Sequence, residues 1–460
     1  MSTDMSQTNA FTQGALVPTL LKTALPIVLV MSTNGLLTVA DAMFLGHFVG
    51  PEALSAVTLM FPAYMLLVAA ATLISGGMSS ILARALGGEQ IRLAQGVFVG
   101  AHGLSLLAGA TALLLFTMIG YPLILKAAEG SEPIARMAHI YLAITIWTSP
   151  LLSVQSDALR CEGYVIQMAG VSLFVSLSNI AFNFLLVAIL DFGVAGTACG
   201  TAMAQVLAFV FVIGFRMRTN SILKPQVLRS HSLTAHWVSI LKLGAPQSLN
   251  FAGIALGSAA TFASLQHFGS AGYEATVAAF GLMTRIMTFV FLPLLGLTQA
   301  LQAMIGNNYG AGKWQRSDNT LRLGLVIAFF YCLSAQVLLT LFARQIGFLF
   351  VEDARIVGEL DRIMPINIAM MLVTGPFFVI ATYFQALGDA GRAALISLIK
   401  PYFFFLPLLF VLPQYFGEIG IWLAGPAAEC LLLLLTVAVL WSTARTNSTR
   451  WGLFVASAAK

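Results

Sequence analysis

The sequence predicts an all-α polytopic membrane protein with twelve transmembrane helices in two pseudo-symmetric six-helix lobes. Composition, a series of long apolar segments and an internal repeat lead to this fold class. Hydrophobic residues make up 59% of the 460 residues and charged residues only 9%, whereas soluble globular domains carry about 25% charged residues. With a mean hydropathy of +0.90, the chain is expected to lie in a lipid bilayer.

Long apolar segments predict the individual spans. A helix needs about 20 mostly apolar residues to cross a bilayer, and twelve segments bounded by glycine, proline or charge meet this condition. They cover residues 18–44, 54–80, 95–120, 135–157, 165–189, 194–216, 240–265, 276–303, 320–344, 361–384, 393–413 and 418–442.

The distribution of Lys and Arg predicts the orientation. Sixteen of these residues fall at the N-terminus, in the loops after even-numbered spans or at the C-terminus, and five fall in the opposite loops. Because cytoplasmic loops are enriched in Lys and Arg, both termini are expected in the cytoplasm and the protein in the inner (plasma) membrane. Scattered basic loops do not indicate nucleic-acid binding. Lys400 and Arg285 fall inside or at the edge of spans. Each could anchor at an interface or pair with a carboxylate, and the anchor is the favoured interpretation of both.

The two halves of the chain repeat each other at an offset that drifts from 220 to 226 residues. Pro26 matches Pro246 at the start of each half, and Gln205 matches Glu429 near the end. Six spans per half, an even number, keep both copies in the same orientation, so the halves should be related by a pseudo-two-fold axis along the membrane normal. The predicted domains are an N-terminal lobe at 1–220, a cytoplasmic linker at 221–239 and a C-terminal lobe at 240–460.

Three polar residues share one face of the first span. At 100° per residue, Asn34 and Asp41 fall about 20° apart, and Thr38 lies one turn from Asp41. A carboxylate at the centre of a membrane helix costs roughly 2.5–3.5 kcal/mol, so Asp41 should face protein or water. Capping at the water interface near Gly46 is the alternative, but the polar face favours a buried proton-binding site.

Pro26 lies near the entrance of the same span. It cannot donate a hydrogen bond to the carbonyl of Lys22, so it predicts a helix hinge. A static scaffold kink is the alternative, because Pro246 occupies the matching place in the second half.

Spans 5 and 6 add polar side chains at helical spacing. Asn179 and Asn183 lie at i, i+4, as do Thr201 and Gln205. Such groups often form only interhelical hydrogen bonds, but three spans of the first half each offer a polar face, which favours a pocket. The predicted substrate and cation pocket comprises Asn34, Thr38, Asn179, Asn183, Thr201 and Gln205.

No motif indicates an enzyme, a catalytic residue, a resident cofactor or a metal. The six histidines lack any HExxH spacing, and the four cysteines form no CxxC pair. The segment before Trp314 departs from a phosphate-binding loop, because Asn307 replaces the first glycine and Trp314 the hydroxyl residue. A transporter is therefore favoured over a membrane-embedded enzyme.

Short motifs along essentially the whole chain resemble the multidrug and toxic compound extrusion (MATE) family. They are individually loose, and their order makes them fairly specific. They are Ala24-Leu25-Pro26, the stretch 40–46 followed by 51–56, Ala85-Leu86-Gly87-Gly88, the stretch 193–198, Gly310-Ala311-Gly312, and Gln385-Ala386-Leu387-Gly388-Asp389.

The resemblance implies an antiporter that exports cationic amphiphilic drugs in exchange for inward H⁺ or Na⁺. The protein is expected to act as a monomer. A first-span acid without acids inside spans 7 and 10 looks like the DinF-like branch, in which Asp41 would carry the coupling proton. Where some relatives have a second carboxylate in span 5, this chain has Asn183. One carboxylate is a poor Na⁺ site, so H⁺ is expected to be the coupling ion. The alternatives are Na⁺ coupling, or a lipid or oligosaccharide flippase of the same superfamily, which would need a strongly basic cavity.

Overall fold

The computed structural model describes residues 10–48, 51–127, 131–145, 149–268, 273–447 and 451–454. The side chains of residues 34, 36–48, 51–65, 127, 145, 149–150, 273 and 446–447 are outside this description. Within these ranges the chain folds into helices joined by short connections. The prediction of an all-α membrane protein is confirmed.

The described residues of the first half form eight α-helices. They are α1 Leu16–Phe48, α2 Pro51–Gly87, α3 Ile91–Leu115, α4 Tyr121–Ala127, α5 Glu132–Thr145, α6 Ser149–Cys161, α7 Val165–Asn183 and α8 Gly193–Arg218. Two π-helical turns, Phe116–Gly120 and Phe184–Ile189, continue α3 and α7, and a 3₁₀ turn covers Pro225–Arg229.

Nine α-helices are found in the part of the second half that the structure describes. They are α9 Trp237–Phe268, α10 Tyr273–Gly310, α11 Trp314–Leu341, α12 Ala343–Phe348, α13 Ala354–Asn367, α14 Met371–Leu387, α15 Ala390–Ile399, α16 Leu406–Phe416 and α17 Glu418–Asn447. A π-helical turn, Lys400–Phe405, joins α15 to α16.

Ten helical segments of the described chain are long and apolar enough to cross a membrane, or eleven if the bent pair α13 and α14 counts as one span. The predicted fourth span consists of α5 and α6, which are 14 and 13 residues long and separated by residues outside the description. The predicted tenth span, 361–384, is not one straight helix. It is α13 and α14, which meet at an angle of 55°.

A side-chain amide satisfies the backbone at the break between α13 and α14. Gln336 of α11 donates from Nε2 to the carbonyl of Ala369 at 2.7 Å, and its Oε1 accepts from the N–H of Leu372 at 2.9 Å. A broken helix within a membrane is tolerated only where its freed polar groups find partners inside the protein. Gln336 supplies both partners, which explains why the bend persists.

The chain divides into two compact units. The first comprises the chain up to Gln13 and Leu25–Ser248, and the second comprises Gly14–Ala24 and Leu249–Lys460. Two of the three boundaries fall inside a helix and within two residues of a proline, Pro26 in α1 and Pro246 in α9. Since proline removes one helical hydrogen bond, these are the points at which each helix can most easily change its packing partners.

The predicted linker, 221–239, lies in the first unit and packs on α3. Gln95 donates to the carbonyl of Ile222 at 3.0 Å, and the indole N–H of Trp237 donates to the carbonyl of Gly100 at 2.9 Å. Leu223 is fully buried. The connection between the halves is therefore an ordered part of the first unit.

A buried arginine ties α6, α8 and the linker together. Arg216 has no exposed surface, and its Nη1 lies 2.5 Å from Glu162 Oε2. Its Nε donates to Gln155 Oε1 at 2.9 Å, and Ser221 Oγ donates to the other oxygen of Glu162 at 2.6 Å. A buried charge is tolerated when it is paired and hydrogen-bonded in this way.

Candidate ion and substrate site

A chain of polar side chains links α7 to α8 inside the first unit. Asn183 donates from Nδ2 to Asn179 Oδ1 at 3.2 Å, and Asn179 donates from Nδ2 to Thr201 Oγ1 at 2.9 Å. Thr201 donates in turn to the carbonyl of Thr197 at 3.0 Å. The i, i+4 spacing on each helix aligns the donors, so the sequence-predicted Asn179, Asn183 and Thr201 meet in one cluster, which we call the amide cluster.

The amide cluster is largely enclosed by protein. Asn179 is 7% exposed and Asn183 is 3% exposed, whereas Thr201 is half-buried. All three groups are neutral, and neither α7 nor α8 contains an Asp or Glu. The cluster therefore offers oriented dipoles, and a charge at this site has to come from another element or from a ligand.

Gly200 on α8 makes room for the cluster. A Cβ atom at this position would lie 2.3 Å from Asn183 Oδ1 and 3.2 Å from the Asn183 backbone N. Heavy atoms in contact are normally about 3.5–4.0 Å apart. Only glycine therefore lets α8 approach α7 closely enough for Asn183 to keep its position.

The other predicted site residues lie on α1 and α8. Asn34, Thr38 and Asp41 belong to α1, but their side chains lie outside the described residues. Gln205 is half-buried, one turn beyond Thr201 on α8. Pro26 lies inside α1, which is helical without interruption from Leu16 to Phe48.

A second polar cluster lies in the second unit, and it corrects the interpretation of Lys400. Lys400 Nζ lies 2.7 Å from Glu429 Oε1, so this lysine is an ion-pair partner and not an interfacial anchor. Thr374 Oγ1 donates to the same oxygen at 2.6 Å. The pair joins the π-helical turn that begins at Lys400 to the middle of α17. We call Lys400, Glu429 and Thr374 the ion-pair cluster.

Comparison with known proteins identifies the family. The sequence matches the MatE family twice, over residues 26–185 and again over 246–411. The two matches start at the two prolines of the predicted repeat, and together they cover well over half of the chain. The chain belongs to the MatE family.

Relatives of this MatE protein extend over nearly its whole length. It is 24% identical to multidrug export protein MepA of Staphylococcus aureus (strain NCTC 8325 / PS 47) over 434 residues, which is 91% of this chain and 92% of MepA. It is 24% identical to probable multidrug resistance protein YoeA of Bacillus subtilis (strain 168), over 85% of this chain and 86% of YoeA.

Solved MATE structures share the fold of this MatE protein. A MATE transporter in the bent conformation has a TM-score of 0.84 at 21% identity, and it covers 98% of this chain and 99% of that chain. A MATE transporter in the straight conformation has a TM-score of 0.83 at 22% identity, with 95% and 98% covered. The predicted family and twelve-helix two-lobe architecture are confirmed, as is a transporter rather than an enzyme. The DinF-like branch stays a prediction.

The repeat is the sequence feature that points to the ion-pair cluster of this MatE protein. It matches Glu429 with Gln205, a residue of the predicted pocket. The same register places a carboxylate on the corresponding helix of the second unit. Lys400, the nearest basic residue of a neighbouring span, is its partner.

Proposed function

We propose that this chain is a secondary active multidrug efflux antiporter that exports cationic amphiphilic drugs in exchange for protons by alternating access. The observation that carries the proposal is the MatE match over both halves of the chain. MepA and YoeA, which are named for multidrug export and resistance, align over most of their length and support drugs as substrates. The charge bias of the loops supports an inner-membrane protein with both termini in the cytoplasm, and we propose that it acts as a monomer.

Asp41 is the proposed proton carrier. It lies on the polar face of the predicted first span, together with Asn34 and Thr38. A buried carboxyl group can bind and release protons in the physiological pH range. In its ionised form Asp41 would attract a cationic drug, and protonation would remove that attraction. Asn34 and Thr38 on the same face would share its hydrogen bonds, and Pro26 would be the hinge of α1.

The amide cluster supports proton coupling over Na⁺ coupling. A hard cation prefers several oxygen ligands that include charged ones, and α7 and α8 supply only amides and a hydroxyl. With Asp41 as the single carboxylate, a Na⁺ site would be weakly charged. A proton needs only one basic oxygen, and neutral neighbours can bond to the carboxyl group in either state.

Drug-evoked proton movement across proteoliposomes with a preset pH gradient tests this function. Ethidium should dissipate the gradient in Na⁺-free buffer with the wild type, whereas Asp41→Asn should abolish the response. Asp353→Asn is the matched control, since Asp353 caps α13 from an exposed loop and Asn is an equally good N-cap. Coupling only in the presence of Na⁺, or an Asp41→Asn protein that behaves like the wild type, would refute the proposal. A protein that moves lipid-linked sugar and no drug would point to a flippase.

A further inference from the structure

The ion pair of Lys400 and Glu429 lies deep in the membrane-spanning part of the second unit. Glu429 is eleven residues from the start of α17 at Glu418, which is about 16 Å along the helix. Lys400 is ten residues beyond Ala390 in the apolar segment Ala390–Phe416, or about 15 Å. Since the hydrocarbon core is about 30 Å thick, both charges lie near its middle, where ionisable residues are costly and generally functional.

The pair retains unused hydrogen-bonding capacity. Both Lys400 and Thr374 bond to Oε1 of Glu429, and in the described part of the chain no group donates to Oε2. The ammonium group of Lys400 has three N–H donors, and Glu429 is its one hydrogen-bond acceptor among the described residues. Lys400 keeps 29% of its side-chain surface exposed and Glu429 keeps 11%. The cluster can therefore take up a further acceptor at Lys400 and a further donor at Glu429.

The Lys400–Glu429 pair occupies the place in the second half that the amide cluster occupies in the first, between the fifth and sixth spans of each half. In the repeat register that matches Gln205 with Glu429, Lys400 corresponds to Ser176, an uncharged residue of α7. The first unit thus joins its fifth and sixth spans through neutral groups, and the second unit joins the equivalent spans through a lysine and a glutamate. A change from neutral groups to an ion pair is not required by the scaffold, because the first unit folds without one.

The backbone at Lys400 is also irregular. Lys400 opens a π-helical turn that runs to Phe405, and Pro401 follows it directly. Single π-helical turns are rare and frequently occur at functional sites. This turn places the lysine beside α17, where it meets Glu429.

We propose that Lys400, Glu429 and Thr374 form a binding site for zwitterionic substrates, in which the substrate carboxylate binds Lys400 and its ammonium group binds Glu429. A lone cation at Glu429 would lie next to the ammonium of Lys400 and be repelled by it. A ligand that carries both charges matches each member of the pair with its opposite and leaves no buried charge unpaired. The inference rests on the proposed function, because it assigns a second binding site to a drug exporter.

Equilibrium dialysis of the purified full-length protein tests this site with two probes that share the same ring system and differ in charge. Norfloxacin is a zwitterion at neutral pH, and its methyl ester is a monocation of nearly the same shape. The wild type should bind norfloxacin more tightly than the ester. In Lys400→Gln/Glu429→Gln the Kd for norfloxacin should rise at least tenfold, whereas the Kd for the ester should change less than twofold.

The matched control carries the same two substitutions at exposed positions, Lys126→Gln/Glu274→Gln. It should bind both probes as the wild type does. If the glutamine pair fails to fold, Lys400→Met/Glu429→Met gives the same test, because replacing both members of a buried pair by apolar residues is often neutral or stabilising.

Two outcomes would overturn the proposal. In the first, the wild type binds norfloxacin no better than the ester. In the second, a folded double variant loses affinity for both probes equally or for neither, which would make the pair structural only. Since dialysis requires no pH gradient, failure of proton coupling at Asp41 leaves this comparison unaffected, and the two hypotheses fail separately.

Discussion

Replacing Gly200 by alanine should damage the amide cluster by a calculable amount. The new Cβ would lie 2.3 Å from Asn183 Oδ1, so Asn183 has to move or the helices have to separate. Overpacking of this kind costs about 1–3 kcal/mol. In a helix, alanine is more stable than glycine by roughly 0.5–1 kcal/mol, and this gain partly hides the steric cost. The steric cost therefore has to be measured against another Gly→Ala substitution that gains helix stability without a clash.

Gly214→Ala provides that reference on the same helix. A Cβ at Gly214 meets no atom within 4 Å, so this variant should be neutral or slightly more stable than the wild type. Gly200→Ala should be about 1–3 kcal/mol less stable than Gly214→Ala, which for a unit of this size is a melting temperature lower by about 2–12 °C. Thermal unfolding in detergent, followed by tryptophan fluorescence, measures the difference.

The double variant Gly200→Ala/Asn183→Ala separates steric from chemical effects. Removing the Asn183 amide removes the closest contact of the new Cβ, the one with Oδ1 at 2.3 Å, so the melting temperature should partly recover relative to Gly200→Ala. If the amide cluster contacts the drug, ethidium export should not recover in the double variant, because the Asn183 amide is missing. A loss of about 1.4 kcal/mol in drug binding corresponds to a tenfold lower affinity. If Gly200→Ala melts and transports like Gly214→Ala, the close approach of α7 and α8 does not hold Asn183 in place and the reasoning fails.

Two further predictions concern the first unit. Arg216→Ala leaves Glu162 buried without its partner and should cost about 3–5 kcal/mol of stability. As a control, Arg218→Ala at an exposed position of the same helix should change the melting temperature little. Equal melting temperatures of the two variants would contradict a structural role for the Arg216–Glu162 pair. Burial raises the pKa of the Cys161 thiol to about 12, and the residue is only 1% exposed, so the folded protein offers little reactive thiolate at pH 8. Maleimide labelling followed by mass spectrometry should therefore find Cys161 unmodified until the protein is unfolded in SDS, and rapid labelling of the folded protein would contradict this.

The fold could be predicted from the sequence because its determinants are local or periodic. Long apolar segments report spans directly, and Pro26 and Pro246 mark the start of each repeat at the residues where the family matches begin. The break between α13 and α14 was not predicted, because the residue that stabilises it, Gln336, is more than 30 positions away along the chain. A hydropathy pattern shows that a segment is apolar, but not whether a distant amide satisfies a broken backbone.

For the site residues, too, spacing along one helix could be predicted from the sequence, whereas contacts between helices could not. The i, i+4 spacing predicted that Asn179 and Asn183 share a face, and the structure adds that they bond to Thr201 across the helix pair. Lys400 was assigned to the interface because a lone lysine in a span most often lies there. Its partner Glu429 is 29 residues away on another helix, and spacing along one helix carries no information about such a contact.

The divergence of the two repeats bears on how a duplicated scaffold gains a second site. Both halves of the chain keep a proline near the start of their first span and polar side chains between their fifth and sixth spans. What differs is charge, since the first unit is neutral there and the second holds Lys400 and Glu429. Acquiring either charge alone would leave it unpaired in the membrane-spanning part of the unit, which is costly, so the two are expected to be retained or lost together. Single variants Lys400→Gln and Glu429→Gln should each therefore be less stable than the double variant, a non-additivity that a double-mutant cycle measures directly.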